Sequence, residues 1–185
     1  MNAAMKQANV RFTYDDYLLL PDDKRYEIVE GELLVVPAPN TRHQRVCRNL
    51  LVALIRHVDN AGIGEVLAAP YDVVLSQENT VQPDILYVRR ERLGIIGEAN
   101  LRQAPDLVVE VLSAGSRSRD HDIKRKLYAR FGVQEYWIVD PDAATVEVLA
   151  WGEAGYSSAG VFGVTDRLAS PLLPDFNLPL SEIFA

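Results

Sequence analysis

Apolar and polar positions along the chain follow two periods, and each period marks its elements. Residues 26–29 and 32–36 alternate well enough to predict two strands, joined by a tight turn at Glu30-Gly31 where Gly31 accepts positive φ. From about residue 41 to residue 60 the pattern turns helical. Val46, Cys47, Leu50, Leu54 and Val58 fall on one stripe, Asn40 or Thr41 caps the start, and Gly62 stops the end. Ahead of the hairpin, residues 12–18 predict a short helix with Thr13 as N-cap, Asp16 three residues on, and Pro21 as terminator. Residues 65–69 and 71–75 predict a strand interrupted at Pro70, residues 76–80 a turn, and residues 81–88 another strand. Residues 89–104 read as a polar loop with room for one helical turn. Residues 135–140 and 145–151 predict a hairpin about Pro141-Asp142, residues 156–164 a weaker strand, and residues 170–184 an apolar tail packed on the core.

One stretch breaks the alternation. Pro105 to Ser113 is apolar on both faces, which suits a strand covered on both sides, yet Glu110 sits in its middle. A buried, unpaired carboxylate costs several kcal/mol or takes up a proton. A cation, a metal ion or dense hydrogen bonding must compensate it. The following helix, expected from about Arg119 to Phe131 with Gly132 as its stop, carries an apolar stripe of Ile123, Leu127, Tyr128 and Phe131. Asp120 and Lys124 fall inside that arc, while His121, Asp122, Arg125 and Lys126 fall outside it. Lys124 therefore projects toward the sheet that carries Glu110. The plain structural alternative is an i,i+4 ion pair of Asp120 with Lys124 at the edge of the core.

Composition narrows the class. The 185 residues suit one domain, and 48% hydrophobic with 24% charged residues is ordinary for a soluble protein. No apolar run approaches a membrane span and no apolar leader opens the chain, so a cytoplasmic protein without a membrane partner is expected. The single cysteine excludes an intramolecular disulfide and a Cys-rich zinc site, and Cys47 reads as a small buried hydrophobe. A net charge of −7 argues against indiscriminate nucleic-acid binding. Arg117, Arg119, Lys124, Arg125, Lys126 and Arg130 nevertheless crowd one segment, either as a solvated helix face or as a surface that meets phosphates.

The order of elements places Asp84 and Glu110 on neighbouring strands with Lys124 behind them. Two carboxylates so placed can share a divalent cation. Mg²⁺ prefers oxygen ligands and keeps several waters, so two carboxylates and one backbone carbonyl suffice. Such an ion polarises a phosphoryl oxygen and acidifies a bound water, and Lys124 would orient that water or stabilise developing charge.

Tyr26-Glu27, Gly31-Glu32-Leu33, His43, Pro83-Asp84, Glu110 to Ser113, Arg117, Asp120, Lys124, Tyr128, Gly132-Val133 and Glu135 to Pro141 together resemble the Uma-type endonucleases, a bacterial group within the PD-(D/E)xK nuclease superfamily. The resemblance covers almost the whole chain. It implies an α/β (α+β) fold with a restriction-endonuclease-like core: a mixed central β-sheet flanked by helices, with an N-terminal β-hairpin, as one domain over residues 1–185. It also implies a DNA endonuclease that uses Mg²⁺ (or Mn²⁺). The superfamily pattern places a lysine two residues after the glutamate, but Leu112 stands there, and the resemblance moves the lysine to Lys124 on the next helix.

In this reading Asp84 and Glu110 hold the metal with the Val111 carbonyl, Lys124 assists the water, and Asp120 positions Lys124. His43 either completes the site from the long helix or packs in the core. Glu32 either joins the site from the hairpin or faces solvent. Cutting both strands of DNA usually needs two active sites, so a twofold homodimer is expected. Two other classes fit the same residues: a nuclease-fold protein that binds nucleic acid or a partner without cutting, and a metal-dependent hydrolase of a small phosphoester.

Overall fold

The computed structural model of the chain describes residues 10–113 and 119–185, except for the side chains of 119–121. In chain order the elements are α1 (Tyr14–Tyr17), β1 (Arg25–Val29), β2 (Glu32–Val36), α2 (Thr41–Ala61), β3 (Gly64–Ala68), β4 (Asp72–Ser76), β5 (Asn79–Val81) and β6 (Ile85–Arg89). A 3-10 turn at Arg90–Ile95 precedes β7 (Asn100–Leu101) and β8 (Leu107–Val111). There follow α3 (Arg119–Arg130), β9 (Glu135–Asp140), β10 (Thr145–Gly152), β11 (Gly155–Gly163), β12 (Arg167–Ala169) and β13 (Asn177–Pro179).

Local chemistry accounts for the ends of these elements. The Thr13 hydroxyl accepts from the Asp16 backbone while the Asp16 carboxylate accepts from the Thr13 backbone, closing a capping box on α1. Asn40 accepts from the His43 N–H at 2.9 Å and so caps α2, and Gly62 ends that helix with φ of 63°. The hairpin turn takes positive φ at both Glu30 and Gly31, 51° and 78°, the geometry of a two-residue turn that matches strand twist.

Among the described residues the strands form three sheets. The central one has the order β11-β10-β9-β8-β6-β3; β8 and β9 run parallel and the other pairs antiparallel. A second sheet has the order β2-β1-β5-β4-β7, and β12 pairs with β13. Alternation along β8 divides the core. Leu107, Val109 and Val111 pack with Val46, Leu50, Leu54 and Val58 of α2 and with the C-terminal Leu173, Phe176 and Leu180. Val108, with Leu86 and Tyr136, packs instead with Leu127 and Tyr128 of α3 and with Val29, Val73 and Val81 of the second sheet. The central sheet is thus covered on both faces, as the apolar run around Glu110 requires. Among the described residues no helix is long and apolar enough to cross a membrane.

Two expectations change. The strand expected over residues 81–88 is two strands in different sheets: β5 pairs with β1 and β4, whereas β6 pairs with β3 and β8. Pro83 lies at the break, has no N–H for a ladder, and lets the chain cross from one sheet to the other. The interruption at Pro70 does the same for β3 and β4. The turn expected over 76–80 is shorter, because Asn79 already opens β5.

The β3–β6 pairing depends on a close approach at Gly64. A Cβ there would overlap the Val88 carbonyl oxygen and lie 2.6 Å from Cε2 of Tyr87. Gly64→Ala must push the edge strand off β6 and is expected to lower stability by about 1–3 kcal/mol. Urea melts of the two proteins measure the difference; an unchanged midpoint would show that β3 is held less closely than this contact requires.

Candidate active site

Glu110 occupies the α3 side of β8, and its carboxylate is met there by one face of the helix. The Lys124 ammonium lies 3.0 Å from Glu110 Oε1, and the Tyr128 hydroxyl donates to the same oxygen at 2.7 Å. Lys124 and Tyr128 are one helical turn apart, so α3 presents both at once. The ammonium also donates to Glu27 Oε1 at 2.9 Å. Glu27, on β1, is only 4% exposed, and its Oε1 accepts the Gln82 N–H as well, at 2.9 Å. Lys124 therefore ties the second sheet to the central one through two buried carboxylates.

Asp84 stands just before β6. The Ile85↔Val109 pair of the antiparallel register places it across from Glu110. Its Oδ2 accepts the Val111 N–H at 2.8 Å and lies 3.2 Å from His43 Nε2. The Asn40 cap fixes the first turn of α2 and so the position of His43, which is 7% exposed. Asp84, Glu110, Val111, Lys124, His43 and Glu27 all border one cavity of about 210 Å³, partly roofed by Leu34 to Pro37 of the hairpin. Among the described residues neither Asp84 Oδ1 nor Glu110 Oε2 takes part in a hydrogen bond; each carboxylate uses its other oxygen.

The charges are crowded. Burial pushes the Glu110 carboxyl up, Lys124 opposes it, and the Glu27 and Asp84 charges add to it, leaving Glu110 at about 7. Burial pulls Lys124 down, but Glu110 and Glu27 outweigh it and hold the ammonium above the ordinary lysine value. Burial likewise lowers His43, yet the bond and charge of Asp84, with smaller help from the Val111 carbonyl and Glu110, carry it above the usual histidine value. Lys124 is thus a charged hydrogen-bond donor. Two carboxylates share one ammonium and Asp84 borders the same cavity, so a cation would relieve the excess. Two carboxylate oxygens without a hydrogen bond and the Val111 carbonyl are hard donors of the kind Mg²⁺ and Mn²⁺ select.

The structure brings together Asp84, Glu110, Val111, Lys124 and His43. It does not bring in Glu32, which pairs with Val29 at the turn end of the hairpin and is exposed there. The Glu27↔Leu34 pair, two steps away from the turn, faces the cavity instead. Asp120 lies on α3, but its side chain is outside the described residues, as is Arg117 altogether. Glu27 is the residue that sequence reasoning missed. It carries the same signal as Glu110, a carboxylate within an apolar strand run, and belongs to the Tyr26-Glu27 pair of the resemblance. Leu112, at the superfamily's lysine position, borders the cavity and packs against the α3-side core.

The mixed sheet flanked by helices is a fold that a solved structure of a putative nuclease shares. A solved structure described as a putative nuclease belonging to DUF820, from Anabaena variabilis, matches with a TM-score of 0.76 at 22% identity, over 94% of this chain and 97% of that one. The chain belongs to the Uma2 family, described as "Putative restriction endonuclease", whose model matches residues 14–181. No functionally curated protein matches it.

The raised Glu110 carboxyl has a consequence for stability. Its value rises from 4.5 to about 7 on folding, so between those values the folded state holds the extra proton. Stability contributed by this group is then lost as pH rises through that window, and the loss levels off above it. Glu110→Gln keeps the shape and removes the anion. In chelator-treated protein the variant is expected to exceed the parent in stability above pH 7 by on the order of 1 kcal/mol, with the gap closing toward pH 4.5. Urea melts at both ends of the window check this; a gap independent of pH would show that Glu110 titrates normally.

Proposed function

We propose that the protein is a Mg²⁺- or Mn²⁺-dependent endonuclease that hydrolyses phosphodiester bonds of DNA. The observation that carries this reading is the pair of carboxylates, each with one oxygen not hydrogen-bonded among the described residues, at a single cavity with the Lys124 ammonium 3.0 Å from Glu110. Asp84, Glu110 and the Val111 carbonyl would hold the ion, which when bound polarises the scissile phosphoryl group and acidifies a water. The chain's own residues do the rest. Tyr128 and Lys124 orient Glu110 through Oε1. The Val111 N–H and His43 orient Asp84 through Oδ2. Glu27 anchors Lys124, and Asp120, whose side chain lies outside the described residues, would help position it. An ammonium has three hydrogens, and two are directed at Glu27 and Glu110. Among the described residues the third meets no acceptor, and it is available to the attacking water or to a phosphate oxygen whose charge grows in the transition state. A twofold dimer would place one such site on each strand of a duplex.

Two sets of variants test the reading. Asp84→Ala and Glu110→Ala are expected to abolish Mn²⁺ binding in calorimetry while the circular dichroism spectrum stays native; unchanged affinity in both would remove them as ligands. Lys124→Ala is expected to retain metal binding and to slow single-turnover cleavage of plasmid DNA by a factor on the order of 10² or more. It also leaves Glu27 and Glu110 without their cation, so it should melt earlier, and rates are compared at a temperature where both proteins are folded. Full cleavage by folded Lys124→Ala would refute the lysine's role. Metal and DNA binding with no cleavage by the parent protein would instead establish the non-cutting reading.

A further inference from the structure

Behind His43 lies a second donor set with a different chemical character. His43 and Cys47 are one turn apart at the start of α2, and His43 Nδ1 is 3.5 Å from Cys47 Sγ. On the other side of the ring Nε2 faces Asp84 Oδ2 at 3.2 Å. One ligand atom from each of His43, Cys47 and Asp84 lies within 4.8 Å of the other two. A cavity of about 220 Å³ reaches this cluster from the Cys47 side, and His43 and Asp84 also border the first cavity. We propose that His43, Cys47 and Asp84 form a binding site for a borderline-soft transition-metal ion of the Zn²⁺ class, adjoining the carboxylate site and sharing Asp84 with it.

The distances suit such an ion. With Nε2 as the histidine ligand, tetrahedral Zn–N and Zn–O bonds of ordinary length set it about 3.4 Å from the carboxylate oxygen, which matches the 3.2 Å between His43 Nε2 and Asp84 Oδ2. Cys47 Sγ closes on the ion from within the 4.8 Å that spans one ligand atom of each residue. A thiolate, an imidazole and a carboxylate form an N/S/O set that selects Zn²⁺ or Co²⁺ over Mg²⁺, whereas Asp84, Glu110 and the Val111 carbonyl are all oxygen donors with the opposite preference. Three protein ligands leave a position for water, which either cavity can supply. The ion replaces the thiol proton, which is released to solvent. Burial, with the Asp84 and Glu110 charges, raises the Cys47 thiol and keeps it protonated in the metal-free protein, so apparent affinity rises with pH. The competing description of Cys47 is the one its sequence context gave, a small apolar residue at the edge of the α2 core. That description predicts no metal–sulfur bond.

Because the chain has a single cysteine, any thiolate–metal signal belongs to Cys47. Co²⁺ is titrated into the full chain after chelator treatment, and absorbance is followed. The proposal expects an intense near-ultraviolet thiolate-to-cobalt charge-transfer band that saturates at one ion per chain and is bleached by Zn²⁺. Cys47→Ala should abolish the band and lower Zn²⁺ affinity at least about tenfold, the range already seen for losing an outer-shell partner. His43→Gln should lower affinity similarly, with the folded state of both variants confirmed by thermal melts. Glu110→Gln should keep the band, since Glu110 is a ligand of the other site only. Saturating Co²⁺ without a thiolate band, or Zn²⁺ affinity unchanged in folded Cys47→Ala, overturns the proposal. If Asp84 is shared, Zn²⁺ should inhibit Mg²⁺-supported hydrolysis, a point that rests on the proposed function. The band without any hydrolysis would sink that function alone, and hydrolysis without the band would sink this site alone.

Discussion

A carboxylate in the middle of a strand covered on both faces is a cost that the surrounding structure has to offset, and much of this molecule is arranged around doing so. Glu110 could not stay ionised among Val108, Tyr136 and the apolar face of α3 without a partner. Lys124 and Tyr128 meet it from the helix, and Lys124 in turn meets Glu27 from the second sheet. One ammonium thus links α3, the central sheet and the hairpin sheet. Two carboxylates share one cation and Asp84 stands beside them; burial first, and then the Glu27 and Asp84 charges, leave Glu110 at about 7 despite Lys124. Under the proposed function, this excess of negative charge is what a bound cation would offset.

The position of Lys124 shows how a site can be kept while one residue moves. A lysine two residues after Glu110 would share its face of β8, since side chains two apart point the same way. Leu112 takes that place and packs against the α3-side core instead. The helix lysine approaches the same carboxylate from across the packing interface, at 3.0 Å. Lys124 thus brings a positive charge to Glu110 from the helix rather than from β8, and the same ammonium reaches Glu27.

Asp84 is the joint between two donor sets. Its Oδ2 takes the Val111 N–H and faces His43, which fixes the carboxylate between the oxygen-lined cavity and the His43–Cys47 pair. Its position depends on Pro83, where the chain leaves the second sheet for the central one, and on the Asn40 cap that sets His43 in the first turn of α2. Small changes at either point would be felt at the carboxylate, because capping and strand crossing leave it little freedom.

The amino-acid sequence by itself determined what is local. The periods of α2 and α3, the Thr13 and Asn40 caps, the Glu30-Gly31 turn and the burial of Glu110 all follow from residues within a few positions of one another. The inward direction of Lys124 also follows, because a helix relates residues by a constant angle whatever it packs against. Tertiary structure alone decided which strands pair. Residues 81–88 read as one strand, yet hydrogen bonding to β1 and β4 on one side of Pro83 and to β3 and β8 on the other divides them between two sheets. Packing of the hairpin against α3 brings Glu27 to the cavity and leaves Glu32 exposed at the turn end, although the two carboxylates share one face of the hairpin. His43 and Cys47 could be placed on one helix face from their spacing, but Asp84 comes to them from a strand about forty residues away. Helix geometry is written into adjacent residues, whereas sheet partners and the sites between them are chosen by hydrogen bonds and packing across the whole chain.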